Sequence, residues 1–263
     1  MTLCIDVGNT NLLGGVFAKD QIKLRFRYDT RQASTSDQLG IFLKSVLREN
    51  QIDSISIQQI ALCSVVPKID YSLISACIKY FDIEPFVLQP GVKTGLKIKT
   101  RNPLEVGADR IANAIAAVHH FPNENIIVVD LGTATTCCAI TANKEYLGST
   151  IMAGIKLSME ALQTNTAKLS AVRIIKPDNI VGRTTDENIQ SGLFYGHLGA
   201  IREFIIRFAQ EVFTNKPPLI LGTGGFAYLF ENENLFNQVL PDLVLEGLYL
   251  ALALNTNTRP VLA

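Results

Sequence analysis

The feature that most constrains this sequence is a pattern that occurs twice. In each copy an apolar strand runs into an Asp-x-Gly turn, a second strand follows, and a polar break separates it from a third. The copies contain Asp6-Val-Gly-Asn-Thr10 and Asp130-Leu-Gly-Thr-Ala-Thr135, and their aspartates lie 124 residues apart. Because this spacing is the size of one domain, the repeat predicts two similar α/β domains, at residues 1–122 and 123–263, packed closely with a cleft between them.

Hydrophobic periodicity supports this division. Residues 22–28 alternate between apolar and basic side chains, which is typical of a half-exposed antiparallel strand. Further buried strands are predicted at 60–66 and 219–221. Helical spacing of apolar residues predicts helices that begin near Thr35 and that cover 71–81, 104–121, 155–163, 185–212 and 243–254. The segment 89–103 is predicted to be a loop.

The composition argues against several classes of function. Lys plus Arg and Asp plus Glu each number 24, so the formal net charge is zero, which disfavours a nucleic-acid binder with a broad basic surface. No apolar run approaches the ~20 residues of a membrane-spanning helix, and we expect neither a membrane association nor a secretory signal. The five cysteines show no C-x-x-C spacing and are expected to be buried, reduced thiols of a cytoplasmic protein.

The first Asp-x-Gly segment has the residue types of a phosphate-binding turn. Gly8 allows the backbone to approach a ligand closely, and the N–H groups of such a turn can bind phosphate oxygens. Asp6, at the end of its strand, can hold a hydrated Mg²⁺ against those phosphates. An ordinary hairpin turn, with an aspartate that binds the local backbone, is the alternative.

The second copy favours the phosphate-binding interpretation for both turns. Two such turns could hold one triphosphate between them, with Asp130 binding a cation and Thr133 donating a hydrogen bond to a phosphate oxygen. The sequence contains no G-x-x-x-x-G-K-[ST], so the turns are not of the P-loop type. The segment Gly222-Thr-Gly-Gly225 either lets a nucleotide lie close to the backbone or is a simple turn.

Two further segments place polar residues at predicted helix starts. In Gly107-Ala-Asp-Arg110, Asp109 could accept the proton of an attacking hydroxyl, and Arg110 could bind a carboxylate or phosphate with its planar fork. A capping aspartate followed by a solvated arginine is the alternative. Thr184 or Thr185 either caps the next helix or contacts a substrate.

Taken together, these segments resemble type III pantothenate kinases. The resemblance extends from residue 1 to about residue 250, in the order and spacing of that family, and the set of motifs is specific although each one is weak. It is carried by Asp6-Val-Gly-Asn-Thr10, Pro90-Gly-Val-Lys-Thr-Gly95, Gly107-Ala-Asp-Arg110, Asp130-Leu-Gly-Thr-Ala-Thr-Thr136 and the segment from Thr185 to Gln190-Ser-Gly192. The resemblance implies the actin-like superfold of acetate and sugar kinases, with two tandem ribonuclease-H-like lobes, each a mixed sheet flanked by helices.

The resemblance also implies an activity and a set of site residues. It implies a cytoplasmic transferase that uses ATP and Mg²⁺ to convert pantothenate to 4′-phosphopantothenate, the first step of coenzyme A biosynthesis. The family is dimeric, and its pantothenate pocket draws on both subunits. ATP contacts are expected from Asp6, Val7, Gly8, Asn9, Thr10, Asn11, Leu12, Leu13 and Thr133. Pantothenate contacts are expected from Gly107, Ala108, Asp109, Arg110 and Thr185, with Asp109 as the base, and Asp130 is expected to bind potassium or ammonium.

Two alternatives stay open. Another small-molecule kinase or phosphatase of the same superfold would share the phosphate turns, because a fold does not determine a substrate. A non-catalytic regulator that keeps the nucleotide-binding fold is the second alternative. Loss of Asp109 or Asp130 would favour the regulator, and both residues are present.

Overall fold

The computed structural model of the protein describes residues 1–33 and 35–256. The strands are β1 (Thr2–Val7), β2 (Asn11–Ala18), β3 (Gln21–Asp29), β4 (Gln59–Ser64), β5 (Phe86–Val87), β6 (Lys97–Ile98), β7 (Ile126–Leu131), β8 (Ala134–Ile140), β9 (Glu145–Ala153), β10 (Leu219–Thr223) and β11 (Gln238–Val239). The helices are α1 (Ser36–Glu49), α2 (Pro67–Phe81), α3 (Ala108–His120), α4 (Ile155–Asn165), α5 (Thr185–Glu211) and α6 (Leu243–Asn255). Within the described residues, no helix combines the length and apolar character needed to cross a membrane.

The first sheet has the strand order β3-β2-β1-β4-β5. Strands β1, β2 and β3 form the predicted antiparallel meander, whereas β1, β4 and β5 run parallel to one another. The basic residues of β3 are exposed and its apolar residues are at least half-buried, which confirms the predicted alternation. Buried leucines of α1 and α2 pack with apolar residues of β1 and β4 in one cluster.

The second sheet repeats this order with one additional strand. Its order is β11-β10-β7-β8-β9-β6, so β7 occupies the position of β1. Strand β7 pairs antiparallel with β8 and parallel with β10, as β1 does with β2 and β4. Apolar residues of β7 and α5 share a second buried cluster. The predicted fold class of two ribonuclease-H-like lobes, each a mixed sheet flanked by helices, is confirmed, while the cleft between them stays a prediction.

Residue contacts divide the chain into two units whose limits differ from the sequence-based ones. The first unit comprises Met1–Leu96, Arg101–Ala116 and the described residues from Leu243 onward, and the second comprises Lys97–Thr100 and Ala117–Asp242. The main difference is α6, which packs against β1 and β4. The Tyr249 ring stacks on Phe17 with 4.6 Å between ring centroids. Almost every residue of α6 is apolar, so its sequence does not indicate which sheet it covers.

Three element boundaries also differ from the predictions. Helix α2 begins at Pro67 and not at Tyr71, because proline at the first helical position sacrifices only an N–H that would be unpaired there. Helix α3 begins at Ala108, since Pro103–Glu105 forms a separate 3₁₀ turn. In the predicted loop 89–103, β6 pairs with β9.

Helices α3 and α6 approach each other most closely at a glycine. A Cβ atom on Gly247 of α6 would overlap the backbone of Ala112 in α3, so only glycine permits this separation. Ala112 is fully buried and lies in the turn of α3 that follows Asp109. The contact with α6 therefore stabilises the part of α3 that carries Asp109 and Arg110.

We predict that Gly247→Ala lowers the free energy of unfolding by about 2 kcal/mol or more, because the added methyl forces the two helices apart. Gly199→Ala is the matched control, since Gly199 is an exposed glycine of α5 and a Cβ there would meet no atom within 4 Å. That change should leave the stability unchanged or raise it by up to ~1 kcal/mol. Urea denaturation followed by circular dichroism measures both. Equal stability of Gly247→Ala and the wild type would contradict the close packing of α3 and α6.

Candidate active site

The first Asp-x-Gly turn is held by backbone hydrogen bonds and by Thr30. The Gly8 N–H donates to the Asn11 carbonyl at 3.1 Å, and the Thr30 N–H donates to the Thr10 carbonyl at 3.0 Å. The Thr30 hydroxyl also donates to the Gly8 carbonyl at 2.8 Å. Thr30 is buried, and no motif in the sequence marks it. The turn is therefore preorganised by a residue that sequence reasoning missed.

The predicted ATP loop contributes to the site in two different ways. Val7, the last residue of β1, and Leu12, the second residue of β2, are fully buried, so only their backbone groups could contact a ligand. Asp6, Gly8 and Thr10 are half-buried, and the remaining residues of the loop are half-buried or exposed. Side-chain contacts to a ligand are therefore unavailable from Val7 and Leu12 and possible from the other side chains of the loop.

A buried cysteine contacts Asp6, one of the two predicted carboxylates of the first unit. Cys63 of β4 stands opposite Asp6 of the parallel strand β1, and its thiol donates to Asp6 Oδ1 at 3.2 Å. The pKa of the Cys63 thiol is raised well above its usual value, first by burial and then by the negative charges of Asp6 and Asp109. The thiol is therefore protonated at neutral pH and is available as the donor to Asp6.

Asp109 and Arg110 lie together at the start of α3. They are the second and third residues of this helix, where the helix dipole stabilises a negative charge. Asp109 Oδ1 accepts a hydrogen bond from the Arg110 N–H at 2.8 Å. A Cβ atom on Gly107 would meet both the Asp109 carboxylate and the Arg110 guanidinium. Gly107 thus leaves the space that brings the two charged groups together.

The second Asp-x-Gly turn is closed by the segment that joins β9 to α4. The Gly132 N–H donates to the Ala134 carbonyl at 3.1 Å, and the Gly154 N–H donates to the Thr133 carbonyl at 3.0 Å. A Cβ atom on Gly154 would overlap the carbonyl groups of Gly132 and Thr133. Position 154 therefore requires glycine to keep Thr133 in place, a constraint that only the tertiary contact reveals.

The segment Gly222-Thr-Gly-Gly225 lies against the other side of this turn. Gly224 has φ +87°, and a Cβ atom there would overlap Asp130 Oδ1 and the backbone of Leu131. The Phe226 N–H donates to the Leu131 carbonyl at 3.1 Å. The glycine segment is therefore part of the environment of Asp130, and its contact with a nucleotide stays a prediction.

Thr184, and not Thr185, caps α5. The Thr184 hydroxyl accepts a hydrogen bond from the Glu187 N–H at 3.2 Å. Glu187 Oε2 in turn accepts from the Arg183 N–H at 2.6 Å. Thr185 is the first residue of the helix and is exposed, so its predicted contact with a substrate does not compete with capping.

The five cysteines are buried and free, as the sequence predicts. Burial is the main cause that raises the pKa of Cys77 and of Cys137 to about 12. Among residues 1–33 and 35–256, no group of three or more His, Cys, Asp and Glu side chains could hold a metal ion.

The predicted site residues separate into two sets, and the members of each set lie in one unit. Asp6–Leu13 and Gly107–Arg110 belong to the first unit. Asp130, Thr133 and Thr185 belong to the second unit, in which Asp130 and Thr133 share one turn. The joint action of both sets on one triphosphate stays a prediction.

Comparison with known proteins gives a consistent result along the sequence. The family model of type III pantothenate kinases matches residues 2–207. A type III pantothenate kinase of Legionella pneumophila (strain Corby) is 62% identical over 256 residues, which cover 97% of this chain and 100% of the relative. The type III pantothenate kinase 1 of Francisella tularensis subsp. holarctica (strain OSU18) is 52% identical, with 97% and 100% covered. A relative of the same name from Elusimicrobium minutum is 47% identical, with 97% and 99% covered.

Solved structures resemble this chain in fold. A Campylobacter jejuni protein assigned to the Baf family of transcriptional activators has a TM-score of 0.61 at 19% identity, with 97% of this chain and 99% of that chain covered. A Sinorhizobium meliloti protein assigned as a 2-dehydro-3-deoxygalactonokinase has a TM-score of 0.61 at 11% identity, with 100% and 98% covered. At such identities the likeness concerns the fold alone.

We predict that Gly224→Ala lowers the melting temperature, because the added methyl would overlap the Asp130 carboxylate and alanine at positive φ costs about 1 kcal/mol or more. Gly225→Ala is the matched control, since a Cβ there would meet no atom within 4 Å and its φ is not positive. Differential scanning calorimetry measures both variants. Equal melting temperatures of Gly224→Ala and Gly225→Ala would contradict the role of Gly224 beside Asp130.

Proposed function

This chain belongs to the type III pantothenate kinase family, and we propose that it transfers the γ-phosphoryl group of ATP to the primary hydroxyl of pantothenate. The products are ADP and 4′-phosphopantothenate, and the reaction is the first step of coenzyme A biosynthesis. The relatives that carry this name match the chain over nearly its whole length, which supports the proposal.

The structural observation that carries the proposal is that Asp6 lies near the end of β1 beside a glycine turn held by backbone hydrogen bonds, while Asp109 lies in the first turn of α3 in the same unit. A carboxylate at a strand end beside a glycine turn is suited to a hydrated Mg²⁺ and its phosphates. A carboxylate in the first turn of a helix is suited to an acceptor hydroxyl. Phosphoryl transfer needs both functions close together, because the acceptor oxygen approaches the γ-phosphorus in line with the leaving oxygen.

In the proposed reaction, Asp109 orients the pantothenate hydroxyl and accepts its proton while the hydroxyl oxygen bonds to the γ-phosphorus. The bond from that phosphorus to the β–γ bridging oxygen breaks, and ADP leaves with the electron pair. Arg110, beside Asp109, is suited to bind the pantothenate carboxylate or a phosphate with its planar guanidinium. Because the transition state is loose, positioning and charge neutralisation supply most of the rate enhancement.

ATP contacts are proposed at residues 6–13 and at Thr133. These contacts are supported by the hydrogen bonds that fix both turns, from Thr30 in the first unit and from Gly154 in the second. Proteins usually bind Mg²⁺ through one or two carboxylates and the phosphates of the substrate, so a single carboxylate at Asp6 fits that ion. When bound, Mg²⁺ would neutralise charge on the phosphates.

Asp130 is proposed as the ligand of a monovalent cation, potassium or ammonium. Its Oδ1 lies against Gly224 and close to Gly132, and a carboxylate oxygen suits a cation that takes oxygen ligands. A cation at Asp130 would offset negative charge on the nucleotide.

Pantothenate contacts are proposed at residues 107–110 and at Thr185. The exposure of Thr185 and its freedom from capping support this assignment. Three further features stay predictions from the family. These are the homodimer, the contribution of both subunits to the pantothenate pocket, and the cytoplasmic location.

The function is tested by coupled measurement of ADP release. Pantothenate, a sugar and acetate are offered separately as acceptors, each without a monovalent cation, with potassium and with ammonium. Of the three acceptors, we expect only pantothenate to support turnover, and we expect potassium to increase its rate. Turnover with the sugar or acetate in place of pantothenate would contradict the proposed acceptor, and rates that do not depend on any monovalent cation would contradict the role of Asp130.

The role of Asp109 is tested by Asp109→Asn, which we expect to lower kcat by about 100-fold or more because the general base is lost. Asp37→Asn is the matched control. Asp37 is the second residue of α1 and contacts Lys79 at the surface, so it shares the helix position of Asp109 without its proposed role. Steady-state kinetics and melting temperatures are measured for both. Near-normal kcat in Asp109→Asn would remove Asp109 from the mechanism.

A further inference from the structure

Cys63 contacts the Asp6 carboxylate where the first phosphate turn begins. Its side chain is fully buried, and the parallel register places it directly beside Asp6. The thiol donates to Asp6 Oδ1 at 3.2 Å. One oxygen of the carboxylate is thereby tied to the interior of the sheet.

The second unit has a hydroxyl at the equivalent position. Thr223 of β10 stands opposite Asp130 of β7, as Cys63 stands opposite Asp6, and Thr223 is also buried. The residues that precede Cys63 and Thr223 in their strands are mostly apolar. Both units therefore interrupt a buried strand with a small side chain that can donate a hydrogen bond next to the aspartate.

We propose that Cys63 is a positioning residue, whose thiol holds the Asp6 carboxylate in the orientation that binds the Mg²⁺–nucleotide complex. This inference rests on the proposed function. Loss of the thiol removes one hydrogen bond that favours this orientation, so the carboxylate adopts it less often and the measured affinity falls with the fraction that is competent to bind. Cys63 itself does not touch the substrates, so its removal should affect the affinity for the nucleotide more than the turnover number.

Three substitutions distinguish the effect of losing the hydrogen bond from the effect of losing side-chain volume. Cys63→Ser keeps a small donor, Cys63→Ala removes the donor, and Cys77→Ala is the matched control. Cys77 is a fully buried thiol of α2 in the same unit and belongs to the apolar cluster that α1 and α2 form with β1 and β4, so its loss leaves a comparable cavity without changing the contact to Asp6.

We expect Cys63→Ala to raise the KM for ATP about tenfold, the size of effect that loss of a hydrogen bond to a charged group produces. The Kd of MgADP, measured by calorimetry, should rise by the same factor, while the KM for pantothenate stays unchanged. For Cys63→Ser, the KM for ATP and the Kd of MgADP should remain within about threefold of the wild-type values. For Cys77→Ala, both constants should equal the wild-type values.

An infrared measurement gives a readout that does not depend on activity. A hydrogen bond to a carboxylate weakens the S–H bond, so the S–H band that disappears in Cys63→Ser should lie at lower frequency than the band that disappears in Cys77→Ala. This comparison also decides the contact if Cys63→Ala does not fold.

Three results would overturn the proposal. The first is that Cys63→Ala and Cys77→Ala bind MgADP with equal affinity. The second is that Cys63→Ser loses as much MgADP affinity as Cys63→Ala does. The third is that the S–H bands of Cys63 and Cys77 lie at the same frequency. A wild-type protein without pantothenate-dependent ADP release would count against the proposed function instead, and the infrared bands would still test the contact between Cys63 and Asp6.

Discussion

The structure depends on one arrangement of strands, used twice. A central strand pairs antiparallel with the strand that follows it and parallel with a strand that returns after a helix. The aspartate near the end of the central strand is thereby placed between a sharp turn and a buried neighbour on the parallel strand, Cys63 for Asp6 and Thr223 for Asp130. Because both flanking strands hydrogen-bond to the central one, the backbone that carries each carboxylate is fixed before any ligand binds.

Close approach of backbone segments then completes the second turn and fixes the position of α3. Gly154 and Gly224 lie against the second turn, and Gly247 lies against α3, at positions where any Cβ atom would overlap a neighbouring residue. These contacts link packing to chemistry, since a methyl group at position 224 would displace Asp130 and one at position 247 would shift α3 together with Asp109. Sites of this kind accept little change in volume because most of the atoms around them belong to the backbone, which cannot change rotamer.

Prediction from the sequence succeeded where the signal is local. The alternation of β3, the two Asp-x-Gly turns and the repeat of the whole motif each follow from residues that are neighbours in the chain, so periodicity and turn chemistry identify them. Prediction was least accurate for α6, which was assigned to the second domain and packs on the first sheet. An almost wholly apolar helix has no face that identifies its partner, so the pattern leaves that choice open.

The sequence by itself determined the two-fold repeat, the fold class and the acidic and glycine residues of both turns, because these depend on short-range order. Only the tertiary structure decided that Thr30 closes the first turn, that the Cys63 thiol donates to Asp6, and that Gly224 lies on Asp130. The partners in these contacts come from elements separated along the chain. Their meeting is set by strand register and helix packing, which no local pattern encodes.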